Sequence, residues 1–464
     1  MSEHLGTVLV VDDEASQREL LGGFAARLGY RVCEAAAGEE ALTIIPQENP
    51  DLVLLDVRLP GISGIETLNR IRESNPDLPV LLITAFADLR QAVAAMKGGA
   101  EDYLAKPVDL DELRAAMADA LGTSADAAGG DDVALPPLPS DFVAESLAMR
   151  RLLSTLAVVA PSKAPVLITG ESGTGKDVVA RLIHAWSPQQ AGPMIAANCA
   201  SLPEALIESE LFGHTKGAFT GASETRQGFF RAAQSGTLFL DEIAELPLHL
   251  QPKLLRALES GQITPVGSDR PIAVDTRLVA ATNRNLEQEV AAGRFRDDLY
   301  YRINVVELVV APLRERREDI LPLARRFAGE FAGGPVRMSP QAMNCLLAHP
   351  WPGNVRELRN AIQRACLLCR GDVILPEHLP PKLAALAAAG HEEQVSLGRL
   401  SQVERATIVA TLQECGGNRT QAAKKLGISR RALIYKLQAM ESETPAAAAP
   451  APPAPSRSAG AQQE

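Results

Sequence analysis

The sequence predicts a multidomain α/β chain: two parallel-sheet units followed by a small all-α unit. Three observations support this. Short apolar strands alternate with helical patterns near the N-terminus, as in a parallel sheet covered on both faces. A strand, a glycine loop of the form GxxxxGK and a helix open a second unit at "VLITGESGTGKDVVARLIH". A helix, a glycine-containing turn and a helix close the chain.

The length of 464 residues suits about three domains. "GTSADAAGGDDVALPPLPSD" (122–141) lacks periodicity and reads as a linker. A weaker boundary lies at 384–395, and the Ala/Pro-rich tail (442–464) reads as disordered. The expected domains are therefore 5–121, 142–383 and 396–441. Formal net charge is -11, which by itself argues against nucleic acid as a partner. Yet residues 396–441 hold eight Lys/Arg against three acids, so a basic module ends an acidic body. No apolar run reaches the ~18–20 residues needed to cross a bilayer. "MSEHLGTVLVVDDE" has no basic n-region or cleavage site. Scattered cysteines suit a reducing cytoplasm. Cys366 and Cys369 form a CxxC without a second ligand pair, and read as buried structural thiols.

In the first domain, "TVLVVDDE" ends in Asp12 and Asp13, and "PDLVLLDVRLPG" carries Asp56. "PVLLITAF" carries Thr84, and "DYLAKP" carries Lys106 before Pro107. The carboxyl ends of parallel strands line the functional crevice, so these residues should converge. Carboxylates that close together repel and call for a cation. All-oxygen donors suit Mg²⁺. A metal-neutralised Asp beside a lysine and a hydroxyl is a plausible phosphoryl acceptor. Acids that merely end strands as turn formers would explain any one Asp, but not the ordered set. The set resembles the flavodoxin-like receiver domain of two-component response regulators. The resemblance implies phosphorylation on Asp56, Mg²⁺ held by Asp12, Asp13 and Asp56, and a switch made of Thr84, Tyr103 and Lys106. It also implies a sensor histidine kinase as partner.

In the second domain, glycines of the loop Gly170, Glu171, Ser172, Gly173, Thr174, Gly175 and Lys176 let backbone N–H groups cradle phosphates. Lys176 reaches their oxygens. Asp177 follows where the strict pattern has Ser or Thr, which leaves Mg²⁺ coordination there open. About 65 residues later, "SGTLFLDEIAEL" puts Asp241 and Glu242 at a strand end. Asp241 suits Mg²⁺ and Glu242 suits the attacking water. "LVAATNRNL" ends near Thr282 and Asn283, suited to sensing a γ-phosphate. Arginines follow at 294, 296, 302 and 356, and Arg294 reads as a solvated helix residue.

The block 142–383 resembles the AAA+ ATPase domain, with helical subdomain, of NtrC-like activators of sigma-54 RNA polymerase. "GAFTGA" at 217–222 is that family's signature. The resemblance implies ATP hydrolysis in a hexameric ring, with Arg296 and Arg302 as fingers acting across subunits. It implies Arg356 as a second sensor and Asn198 as the residue restraining Glu242. It also implies that the loop Gly217, Ala218, Phe219, Thr220, Gly221 and Ala222 touches sigma-54, with Phe219 an exposed aromatic anchor on a mobile arm. Rival readings are another AAA+ remodeller and a DNA-binding regulator with a vestigial ATPase.

In the third domain, "NRTQAAKKLG" and "ISRRALIYKLQAM" form a helix-turn-helix, the second helix entering the major groove. Ser429, Arg430, Arg431 and Tyr435 are candidate base contacts. Lys424, Lys425 and Lys436 are placed for phosphates. A basic helical pair that only packs is the bland alternative. The segment resembles the Fis-type DNA-binding domain, which implies dimers on double-stranded DNA at an upstream, roughly palindromic enhancer.

Overall fold

Strand placement follows from burial. β3 (Leu52–Asp56) and β4 (Val80–Thr84) are buried at every position, so both faces of their sheet must be covered. They belong to the first of two five-stranded parallel sheets, with β1 (Thr7–Val11), β2 (Arg31–Ala35) and β5 (Asp102–Ala105) in the order β2-β1-β3-β4-β5. The structure, a computed structural model, describes residues 4–84, 99–122, 135–139, 142–219, 222–369 and 373–383, with residues 411, 421 and 425 besides. Helices α1 (Ala15–Arg27), α2 (Gly38–Glu48) and α3 (Gly64–Ser74), and the helix Leu110–Ala120, connect or follow these strands. Gly64 is required by close approach. A Cβ there would lie 2.0 Å from the carbonyl oxygen of Asp56, because the loop after β3 folds back over the strand end.

The second sheet holds β6 (Val166–Thr169), β7 (Met194–Asn198), β8 (Thr237–Asp241), β11 (Arg277–Thr282) and β12 (Val306–Val309), in the order β12-β6-β11-β8-β7. β9 (Gln262–Ile263) and β10 (Ile272–Ala273) pair antiparallel beside it. The central strand β11 is wholly buried. Arg277 at its start is buried too, and its guanidinium satisfies the carbonyls of Val159 and Ala160.

A helical lid follows, made of helices Ile320–Ala332, Pro340–Ala348 and Asn354–Leu368. Trp351 is fully buried in it and donates its indole N–H to the Leu346 carbonyl at 2.9 Å. Cys366 and Cys369 are half-buried at the end of the last helix, not buried as the sequence suggests. That helix pattern turns its final residues outward, with Leu367 80% exposed. Cys369 donates to the Val373 carbonyl at 3.0 Å.

One apolar cluster joins the first sheet unit to the second. Leu20, Leu21 and Phe24 of α1 share it with Met149, Leu153 and Leu156 of the helix Leu147–Val159. The chain divides into two units, Met1–Pro380 and Pro381–Glu464, and nearly all of the second lies outside the described residues. No described helix is long and apolar enough to cross a membrane.

Candidate functional site

At the carboxyl end of the first sheet, Asp12, Asp13 and Asp56 bring carboxylate oxygens within 4.8 Å of one another. Asp12 and Asp56 are buried and Asp13 is exposed, leaving one open side. Lys106 reaches in with Nζ 2.7 Å from Asp12 and 2.5 Å from Asp56. Burial pushes the Asp12 carboxyl up to about 7, against the pull of Lys106 and with the push of Asp56. Burial works against the Lys106 charge, but Asp12 and Asp56 outweigh it and its pKa is raised. A hard divalent cation fits this all-oxygen, over-charged donor set. Thr84 is buried at the end of β4 and Tyr103 is half-buried on β5. The backbone N–H of Glu14 donates to Asp12 at 2.9 Å, so the segment after the cluster is tied to it.

In the second sheet the P-loop joins β6 to the helix Lys176–Ala185. Gly173 and Gly175 adopt φ of 79° and 102°, which only glycine takes readily. Lys176 donates Nζ to the Gly170 carbonyl at 2.8 Å and the Glu171 carbonyl at 3.3 Å. Burial lowers its pKa, and Glu242 and Asp241 oppose that. Residues 172–177, Asp241, Glu242 and Arg356 line one cavity of about 540 Å³ between sheet and lid. Asp177 is exposed and pairs with Arg181 at 3.0 Å.

In this structure Asn198 is bonded to the residue before Glu242. It donates Nδ2 to Asp241 at 2.9 Å. Register explains this: Asn198 and Asp241 are partners across β7 and β8, so their side chains share a face. Glu242 takes a left-handed turn at φ 52° and accepts instead from the Asn283 backbone N–H at 3.3 Å. Thr282 is fully buried, with its hydroxyl accepting from the Arg284 backbone N–H at 3.1 Å.

Arg356 donates to the Ser172 hydroxyl at 2.9 Å, which places it over the P-loop. Arg316, not singled out from sequence, is buried and donates to the Thr174 carbonyl at 2.5 Å. Arg294 is held bidentately by Glu289 at 2.6 and 2.9 Å. Arg296 is likewise held by Asp298 at 2.9 and 2.6 Å. Arg302 pairs with Glu14, from the first sheet unit, at 2.9 Å. Nothing in the sequence around Glu14 signals that contact.

Phe219 is 39% exposed and sets its ring edge-on to His214, with centroids 5.0 Å apart. The exposed anchor thus has a parking place, which the sequence did not indicate. Gly217 donates to the Ala222 carbonyl at 2.9 Å and closes the base of the loop. Thr220 and Gly221 lie outside the described residues. So do the DNA-contact candidates Lys424, Ser429, Arg430, Arg431, Tyr435 and Lys436, while Lys425 is helical and exposed.

An acidic pocket with a buried lysine and a P-loop cavity in one chain define a response regulator with a AAA+ output. Comparisons with known proteins carry this further. The sequence matches the response regulator receiver domain over 8–118 and the sigma-54 interaction domain over 142–309. It matches the AAA+ ATPase lid domain over 314–396 and the bacterial regulatory protein, Fis family, over 399–440. Transcriptional regulatory protein ZraR of Klebsiella oxytoca is 46% identical over 443 residues, 94% of this chain and 100% of the relative. Regulatory protein AtoC of Escherichia coli (strain K12) is 44% identical over 449 residues, 94% and 97%. The structure is also similar to that of NtrX from Brucella abortus in complex with ADP, at TM-score 0.50 and 34% identity, covering 94% of this chain and 99% of that one. The chain belongs to the family of sigma-54-dependent response regulators of the NtrC type. It is a two-component transcription regulator of sigma-54 polymerase.

Proposed function

We propose that the unit 142–383 binds and hydrolyses ATP at the subunit boundaries of a ring, most simply a hexamer, and spends turnover on remodelling the closed promoter complex. The supporting observation is the cavity of about 540 Å³ where Lys176, Asp241, Glu242 and Arg356 meet the P-loop. Asp241 would hold Mg²⁺ there, and the ion would supply charge neutralisation at the phosphates. Lys176 exchanges the carbonyls it now bonds for β/γ-phosphate oxygens. Glu242 orients or deprotonates the attacking water, with the Asn283 backbone steering its carboxylate. Arg296 and Arg302 act on the nucleotide of a neighbouring subunit. Phe219 and Thr220 contact sigma-54. The relative whose structure contains ADP supports a nucleotide in this pocket.

Control comes from Asp56, phosphorylated by a partner histidine kinase, with Asp12 and Asp13 holding Mg²⁺. Thr84, Tyr103 and Lys106 read the phosphoryl group. The direction of control is relief of inhibition. Arg302 cannot serve a neighbour while paired with Glu14, and Glu14 is bonded through its backbone to the phosphoacceptor cluster. The C-terminal unit binds an upstream palindromic DNA site as a dimer, in the cytoplasm.

The test is ATP turnover by the full chain, with phosphorylation, across a range of protein concentrations, beside ADP binding. A per-subunit rate that rises with concentration is expected. A chain that binds ADP yet shows no turnover at high concentration overturns the ATPase reading in favour of a vestigial one.

A further inference from the structure

Glu171 stands inside the phosphate loop, where an acid is out of place beside a polyanion. Its carboxylate faces away from the cradle. Arg314 takes it bidentately at 2.7 and 2.9 Å, and Asn354 donates Nδ2 to it at 3.0 Å. Asn354 is fully buried and opens the lid helix Asn354–Leu368 with φ 51°. The same amide donates to the Ser172 carbonyl at 3.2 Å, and its oxygen accepts from the Leu313 backbone N–H at 2.8 Å. One side chain therefore joins the P-loop, the turn Leu313–Glu315 and the start of the lid helix. The fit leaves no slack. A Cβ on Gly173 would lie 2.6 Å from the Gly353 carbonyl oxygen, and the Arg356 N–H meets the Gly173 carbonyl at 3.3 Å.

We propose that Glu171, Arg314 and Asn354 form a clasp that makes the lid travel with the P-loop. Asn354 is the positioning residue through which phosphate occupancy sets the lid and, with it, Arg356. Glu171 is a member of the clasp and not a phosphate ligand. The proposal rests on the nucleotide reading of the cavity. Two features give the clasp its direction. Arg314 neutralises and turns away a carboxylate that would repel an incoming phosphate. Asn354 holds a left-handed conformation that Asn tolerates better than most residues, so the clasp is built where the chain turns into the lid helix.

Asn354→Gly removes the amide and keeps the backbone turn accessible. In the full chain, hydrogen exchange reads the clasp directly. Without nucleotide, the Leu313 amide should exchange at least about tenfold faster in Asn354→Gly, because its acceptor is gone. With ADP, wild type should gain protection along residues 355–365, and the variant should lose that gain. ADP affinity should hold within about threefold while kcat falls about tenfold or more, since misplaced groups cost rate more than binding. Glu171→Gln keeps an acceptor for Asn354 and should retain most of the coupling. Glu171→Ala with Asn354→Gly should be no worse than Asn354→Gly alone.

ADP-induced lid protection and kcat both unchanged in Asn354→Gly would overturn the clasp. Should that variant melt early, Glu171→Ala, a half-exposed site, is read in its place by the same two criteria. If wild type binds no ADP, the nucleotide reading fails, and the Leu313 exchange rate still decides whether the three segments are clasped.

Discussion

Glu242 shows how much a single residue's conformation decides. Its left-handed backbone sets it apart from the strand that carries Asp241, and its carboxylate meets the Asn283 amide. A group that only activates water should be dispensable for binding. Glu242→Gln is expected to keep ADP affinity within about threefold while ATP turnover falls by about a hundredfold or more. Equal loss of both, measured by nucleotide titration and phosphate release, would place the residue in binding instead. The residues of the P-loop and the Asp241–Glu242 pair were legible in the sequence because glycine spacing and strand-end acids are local signals. The partner of Asn198 was not. It depends on cross-strand register between β7 and β8, which separates residues distant in sequence by one pairing choice.

At the scale of the element, the helix Leu147–Val159 begins on a buried polar cap. Asp319 is fully buried and accepts from the backbone N–H groups of Glu145 and Ser146 at 2.7 and 2.9 Å, and from the Ser146 hydroxyl at 2.7 Å. Asp319→Ala leaves those donors unpaired and is expected to cost about 3 kcal/mol in urea unfolding, since each buried unsatisfied donor costs roughly 1–3 kcal/mol. A loss below about 1 kcal/mol would mean that water replaces the carboxylate. Such capping reaches across some 170 residues of chain, so no local pattern announces it. The GAFTGA loop gives the opposite lesson. Its sequence is unmistakable, but the contact of Phe219 with His214 is tertiary. Phe219→Ala should abolish nucleotide-dependent capture of sigma-54, while His214→Ala, which frees the ring and also breaks the 2.7 Å bond between His214 Nδ1 and the Ser209 hydroxyl, should leave capture intact in a variant that still folds. Capture surviving Phe219→Ala would move the contact elsewhere on the loop.

For the whole molecule, the sequence marked out an acidic body, a basic end and the linkers, because composition shifts where chains cross from one core to another. It did not show that α1 shares an apolar cluster with the helix Leu147–Val159, since nothing in either helix's own sequence names its partner. Glu14, just before α1, meets Arg302, with side chains 35% and 25% exposed. A part-exposed pair of this kind is worth only about 1 kcal/mol, so it can be opened by a modest change at the phosphoacceptor cluster. Glu14→Gln is therefore expected to raise ATP turnover of the unphosphorylated full chain several-fold, by about the fivefold that 1 kcal/mol allows. Unchanged basal turnover in an otherwise stable variant would show that Arg302 is not what the receiver withholds.

The pairing of Glu14 with Arg302 also fixes who depends on whom. On the proposed role of Arg302 across a subunit boundary, the arginine belongs to the lender of a finger and the P-loop to the borrower. In such a ring a silent subunit would starve its neighbour and would itself still turn over ATP with a finger borrowed from the other side. Mixed rings should then work boundary by boundary. Mixing Asp56→Asn subunits into a phosphorylated population should dilute turnover in proportion to their share, with no threshold at which the ring falls silent.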